Sequence, residues 1–179
     1  MKAARTFYRF YVSSMNTRPW QTTIISTGVL VGAGDVIAQQ AVERKGLKHD
    51  VLRTVKMTGM GLCIIGPGLR TWYIILEKLV KGAGKTVALK KMLLDQTVWA
   101  PSFLAMFLSA VSVLNGKSKD EIIMKFQNEY IDMMKVNYMI WPAVQLLNFY
   151  FVPMQHRVVV VNFVALFWNT YLAFVSHRH

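Results

Sequence analysis

Long apolar runs alternate with short charged connections along this chain. Pro19 to Val42 holds one charged residue, Asp35, while Gln96 to Gly116, Val136 to Gln155 and Val158 to Ser176 hold none. A helix crosses a bilayer with about 20 apolar residues, and these four runs are of that length. A less clean run, Val51 to Leu76, has a charge-free centre only from Met57 to Leu69. By length alone that segment reads as re-entrant or broken. The pattern predicts an all-α fold, a polytopic transmembrane helix bundle of four to five spans with kinked helices. A basic amphipathic segment over residues 1–18 precedes a single transmembrane domain over 19–179. Pro19 suits the first turn of a helix, where its missing N–H is not needed. Pro67, Pro101 and Pro142 fall inside or beside spans, where proline removes a hydrogen bond and crowds the preceding turn. Pro67, flanked by Gly59, Gly61, Gly66 and Gly68, and Pro142 are the candidate hinges.

Helical periodicity gives each span a small or polar side. On the first, Gln21, Gly28, Gly32, Asp35 and Gln39 share one stripe, because their spacings close whole turns. Gly28 and Gly32 form a GxxxG pair, a candidate surface for close helix packing. Asp35 is a different matter, since a carboxylate at mid-helix costs about 3 kcal/mol on the insertion scale. Such a residue faces a partner or water. Ser102, Ala105, Ser109 and Ser112 share a face in a later run, as do Asn137, Gln145 and Asn148 in the next, and Asn162, Ala165, Asn169, Ala173 and Ser176 in the last. A bundle that turns these sides together has either a hydrogen-bonded core or a narrow wet pathway. In the second case Asp35, Gln39, Gln145, Asn148 and Asn169 are the candidate pore-lining residues.

Composition sharpens this picture. Only 17% of residues are charged, below the roughly 25% of an average soluble domain. The net charge of +12 would suit a nucleic-acid partner, but Lys and Arg concentrate in the connections, where loops meet anionic lipid head groups. Direct nucleic-acid binding is therefore not expected. The alternate connections carry similar totals of Lys and Arg, so the charge rule for orientation gives no answer. The first 34 residues contain no acid, and Lys2, Arg5, Arg9 and Arg18 lie among Phe7, Tyr8, Phe10 and Tyr11. Basic, acid-free and aromatic, this segment has the character of a mitochondrial address or an interfacial anchor. The C-terminal "SHRH" is not the Ser-Lys-Leu peroxisomal address.

Chemical motifs are thin. Gly84-Lys85-Thr86 ends like a phosphate-binding loop, but Leu79 stands where that loop needs its first glycine. Cys63 is the one cysteine, which excludes an internal disulfide and a paired-cysteine metal site. Inside an apolar segment it reads as a small packing residue. His49, His156, His177 and His179 lack metal-ligand spacing. Glu77 with Lys78, and Asp120 with Glu121, read as solvated loop charges. Arg70, Asp95, Asp132, Lys135 and Arg157 lie near segment ends, where they pair, snorkel or ring a pore mouth. No catalytic residue, metal site or cofactor is expected, and the chain is not expected to be an enzyme.

Four stretches, "RPWQTTIISTGVLVGAGDVIAQQ", "GPGLRTWY", "KMLLDQTVWAP" and "NYMIWPAVQLLNFYFVPMQHRVVVVNFVALFWNTYL", resemble in order and spacing the Mpv-seventeen and peroxisomal membrane protein family. The likeness covers nearly the whole chain and favours the family's mitochondrial inner-membrane branch, with the peroxisomal membrane as the alternative location. The resemblance implies a helical membrane protein, usually with four spans, that behaves as a weakly selective channel for small solutes or ions. It further implies roles in membrane-potential homeostasis, oxidant balance and mitochondrial DNA maintenance, and no catalytic residue. Expected partners are the lipid bilayer, small solutes or ions, and a second copy or a membrane complex. The alternative function is a non-conducting membrane scaffold or assembly partner.

Overall fold

The computed structural model describes residues 2–176 along the backbone, with side chains at residue 6 and over 9–168. Six helices account for nearly all of them: α1 (Lys2–Thr17), α2 (Pro19–Val42), α3 (Val51–Leu79), α4 (Lys85–Leu114), α5 (Lys119–Phe151) and α6 (Arg157–Ser176). No strand occurs among the described residues. Local chemistry sets the boundaries. Pro19 opens α2 at its first turn, and the Asp50 side chain caps α3 by accepting from the Arg53 N–H at 2.9 Å. Gly84, at φ 103°, turns the chain into α4 through a conformation that disfavours a side chain. Val152, extended before Pro153, ends α5.

Among the described residues, three helices are long and apolar enough to cross a membrane: α2 with 24 residues, α3 with 29 and α4 with 30. The run read above as re-entrant or broken is therefore one long helix. Its interruption is a π-turn, Gly61–Ile65, and not a break. That turn ends two residues before Pro67, and a second π-turn, Asp95–Trp99, ends two residues before Pro101. Widening the turn just ahead of a proline relieves the clash between its ring and the preceding carbonyls, so the helix continues. Pro142 lies inside α5, which is α-helical throughout. The apolar run from Val136 extends backwards as helix to Lys119, because no glycine or proline interrupts it. The last run forms α6, which with the 3-10 turn before it gives a shorter described apolar stretch, Met154–Trp168.

The N-terminus of α5 is an exposed capping box. Ser118 Oγ accepts from the Glu121 N–H at 3.3 Å, and the Ser118 N–H donates to Glu121 Oε2 at 2.8 Å. Lys117 Nζ adds a hydrogen bond to Glu121 Oε1 at 2.6 Å. The Lys117 bond first, and then those with Ser118, bring the Glu121 carboxyl down to about 2 from its ordinary 4.5. Glu121, read above as a solvated loop charge, is solvated but stands in the first turn of α5 and caps it. Because the folded value is depressed, the cap's contribution is present above pH 4.5 and is lost as pH falls from there through about 2. Amide protection factors in the first turn of α5 are expected to fall over that window, and Glu121→Gln to abolish the dependence. Hydrogen exchange read by mass spectrometry checks it.

The helices pack in two compact units, one of residues 1–74 and 153–179, the other of residues 75–152. In the first, α2 packs against α1, α3 and α6. Its arrangement is inside-out relative to a soluble protein: Ile25, Val29 and Val36 are exposed, while Thr23, Thr27, Gly28, Gly32 and Asp35 are buried. Apolar side chains facing outward suit acyl chains, and small or polar ones facing inward suit helix contact in lipid. A Cβ on Gly28 would lie 2.5 Å from Leu62 Cδ2, one on Gly32 would meet Thr58 Oγ1, and one on Gly61 would lie 2.8 Å from Gly28 Cα. The GxxxG stripe is thus where α2 and α3 approach most closely. Cys63 is exposed, on the side of α3 away from the buried Gly61 and Ile65. It packs nothing in the core, contrary to the reading above.

In the second unit α4 packs along α5. Glu77, read above as a solvated charge, bonds Lys91 Nζ at 2.7 Å, and Lys91 is buried. The apolar stem of the lysine lies inside while its ammonium is neutralised, a pairing that sequence distance concealed.

Candidate functional site

Asp35 sits on the inner stripe of α2, and its carboxylate is built into a network. Oδ2 accepts from Gln39 Nε2 at 2.8 Å and from Thr54 Oγ1 at 2.6 Å. Arg53 Nε lies 2.7 Å from Oδ1. The short separation makes it an ion pair, and Coulomb attraction depends weakly on angle. The sequence reading missed Arg53 and Thr54.

The geometry of the α2–α3 connection creates this pairing. The end of α2 widens into a π-turn, Ala38–Val42. Arg44, at φ 51°, then reverses the chain through a left-handed conformation rare outside glycine. Gln39 ties the returning strand of chain down, accepting from the Asp50 N–H at 2.7 Å and donating to the Asp50 carbonyl at 3.0 Å. Gln40 Nε2 reaches the Gly46 carbonyl and His49 Nδ1, both at 3.2 Å. His49 Nε2 lies 3.0 Å from Thr54 Oγ1. With the Thr54 hydroxyl donating to Asp35, the ring proton belongs on Nε2 and the Gln40 amide faces the bare Nδ1.

Arg53 is shared. Its Nη1 bonds Glu43 Oε1 at 2.7 Å, and Lys45 Nζ bonds the other Glu43 oxygen at 2.9 Å. Partial burial pushes the Glu43 carboxyl up, but the hydrogen bonds and charges of Lys45 and Arg53 outweigh it and hold the group below its ordinary range. The site is an alternating string of charges, Asp35, Arg53, Glu43 and Lys45, running from the buried stripe of α2 to its exposed end.

Gln145 and Asn148 belong to the second unit, around another buried acid. Asp95 Oδ2 accepts from Gln96 Nε2 at 2.9 Å and Gln145 Nε2 at 3.0 Å, and Gln145 Oε1 accepts from Asn148 Nδ2 at 3.2 Å. Asn137 Nδ2 donates to Gln96 Oε1 at 3.2 Å, and the Tyr138 hydroxyl to the Gln96 carbonyl at 3.0 Å. The structure therefore joins Asp35 to Gln39 and Gln145 to Asn148, each pair within its own unit. The side chain of Asn169 lies outside the described residues. Asn162, on the same face of α6, donates to Thr27 Oγ1 at 2.6 Å in the first unit. Among the described residues no group of three His, Cys, Asp or Glu side chains is placed to hold a metal ion.

Apolar spans with lipid-facing surfaces and inward-turned, hydrogen-bonded acids define an α-helical membrane protein. Comparison with known proteins agrees and narrows the class. Residues 112–173 match the model of the Mpv17 / PMP22 family. The chain is 52% identical to mitochondrial inner membrane protein Mpv17 of Xenopus laevis, over 96% of this chain and 97% of that one. It is 45% identical to the Homo sapiens protein of that name, over 96% and 98%, and 38% identical to protein sym-1 of Neurospora crassa, over 93% and 97%. The chain belongs to the Mpv17 / PMP22 family and is a protein of the mitochondrial inner membrane. No solved structure matches it.

Proposed function

We propose that the chain is a channel-like conduit, weakly selective for small solutes or ions, and not an enzyme. The observation that carries this reading is a buried acid inside an apolar span, joined to a string of charges that runs to the end of α2. An acid at the depth of Asp35 is costly to insert, and such residues in membrane proteins mark ion and solute paths. In the state described here the stripe is closed by its own side chains, with Asp35 and Gln39 engaged by Arg53, Thr54 and Asp50. Opening requires Arg53 to leave Asp35 for Glu43 alone, which exposes the carboxylate to water while the arginine stays paired. The family resemblance supports the link from such a path to membrane-potential homeostasis and mitochondrial DNA maintenance.

Single-channel recording in planar bilayers tests the reading. Asp35→Asn is expected to change unitary conductance and to weaken preference for cations, because it removes the fixed negative charge of the stripe. Unchanged conductance and ion preference would take Asp35 out of the path. A second reading, a non-conducting scaffold, draws on the directness of the same bonds, since a network closed by protein side chains needs no water. Purified protein in liposomes would then pass neither current nor solute, while native extracts would hold it in a larger particle.

A further inference from the structure

We propose that Arg70 anchors a phosphate-binding site on α3, formed with a phosphate group from outside the chain. Arg70 is 8% exposed, and its Nε is buried with no hydrogen-bond partner. Among the described residues no carboxylate lies within the 4.0 Å of an ion pair with it. Eight of the nine acids of the chain are engaged elsewhere, and the ninth, Asp120, is exposed in the first turn of α5. Asp35 and Glu43 hold Arg53, Glu77 holds Lys91, and Glu121, Glu129 and Asp132 hold Lys117, Lys125 and Lys135. Asp50 caps α3, and Asp95 takes the amides of Gln96 and Gln145.

A buried lysine in this position would escape by losing its proton; arginine cannot. The Arg70 Nε is closed off from water without a partner, which costs free energy, while the rest of the fork keeps a small opening to the outside. An anion from outside the chain would supply the partner that the described residues do not. The guanidinium presents five N–H donors in a fork that matches the oxygens of a phosphate. Depth points the same way. If the middle of α3, at residue 65, lies at the membrane midplane, the Cα of Arg70 is roughly 7 to 8 Å below the edge of the hydrocarbon core. An arginine arm spans that gap and reaches the level of lipid phosphates. A phospholipid head group and a soluble phosphate share the required chemistry. The inference holds whether or not the chain conducts.

The full chain purified in a maltoside detergent, which contains no phosphate, separates the sources. Native mass spectrometry reads retained phospholipid, and titration with sodium phosphate, followed by thermal shift, reads the soluble ion. Phospholipid retained by wild type and reduced at least about tenfold in Arg70→Gln assigns a lipid head group. A saturable phosphate response weakened to a similar degree, without retained lipid, assigns the soluble ion. Arg70→Lys should keep part of either signal, and Lys81→Gln, which removes an exposed charge eleven positions along the chain, should keep all of it. Arg70→Gln removes an unpaired charge and so should fold. If it matches wild type in both measurements, or wild type shows neither signal, the site does not exist.

Discussion

Arg53→Gln is expected to destabilise the protein by about 2 to 3 kcal/mol, and Asp35→Asn placed on top of it to restore most of that loss. Breaking a buried pair from one side typically costs about 3 to 5 kcal/mol, because the remaining charge is stranded in a medium that solvates it poorly. Here the Asp35 side chain is 1% exposed but that of Arg53 is 37% exposed, so water reaching the arginine end reduces the figure. Glu43 keeps Lys45 when Arg53 is lost and so adds little to the penalty. Asparagine at 35 can still accept from Thr54 and Gln39 without a charge to neutralise, which is why the double variant should recover. Thermal unfolding of the detergent-solubilised protein, followed by tryptophan fluorescence, measures all three. A double variant no more stable than Arg53→Gln would mean that Asp35 and Arg53 do not act as a pair.

That pairing also marks the limit of what the chain disclosed before folding. The inward stripe of α2 was legible in large part: helical period alone puts Gln21, Gly28, Gly32, Asp35 and Gln39 on one side, and the last four are buried while Gln21, near the start of the helix, is exposed. The need for a partner was legible too, since an acid in an apolar span is too costly to leave alone. Which base would meet it was not. Arg53 lies 18 positions on, beyond a connection whose course depends on a π-turn, a left-handed Arg44 and two bonds from Gln39. None of these has a periodic signature. The signal that did exist was weaker: a short connection makes α2 and α3 antiparallel neighbours, so bases in the first turn of α3 come near the last turns of α2. The same reasoning applies to Glu77 and Lys91, which flank a short glycine-containing turn and meet across it. Prolines were misleading in the opposite direction. Pro67 suggested a break where a π-turn keeps α3 whole, because hydrophobicity and periodicity are silent on how many residues a helix places in one turn. Side-chain direction explains Cys63: its apolar neighbours suggested burial, but an apolar neighbour in a lipid-facing helix is as often outside as in.

Gly61→Ala should be the most damaging small substitution in α3, and Gly59→Ala, two positions away, close to harmless. A Cβ on Gly61 would stand 2.8 Å from Gly28 Cα and 3.1 Å from the Thr27 carbonyl oxygen. Both are backbone atoms, so no rotamer change relieves the clash and α2 must move away as a whole. Moving it breaks the neighbouring fit as well, since a Cβ on Gly66 would already lie 3.1 Å from Ile24 Cα. Overpacking of this kind costs roughly 1 to 3 kcal/mol in soluble cores. The upper end applies here, because helix association in lipid depends on close contact and has no hydrophobic drive to offset a gap. Around Gly59 nothing lies within 4 Å of an added Cβ. Alanine there should be neutral or stabilising by up to about 1 kcal/mol through helix propensity. Gly28→Ala falls between them, because Leu62, the side chain it would strike, can rotate. The order of melting temperatures among the three alanine variants therefore reports whether α2 and α3 touch backbone to backbone. Equal values for Gly59→Ala and Gly61→Ala would mean that they do not, and the ion pair that depends on their approach would lose its frame.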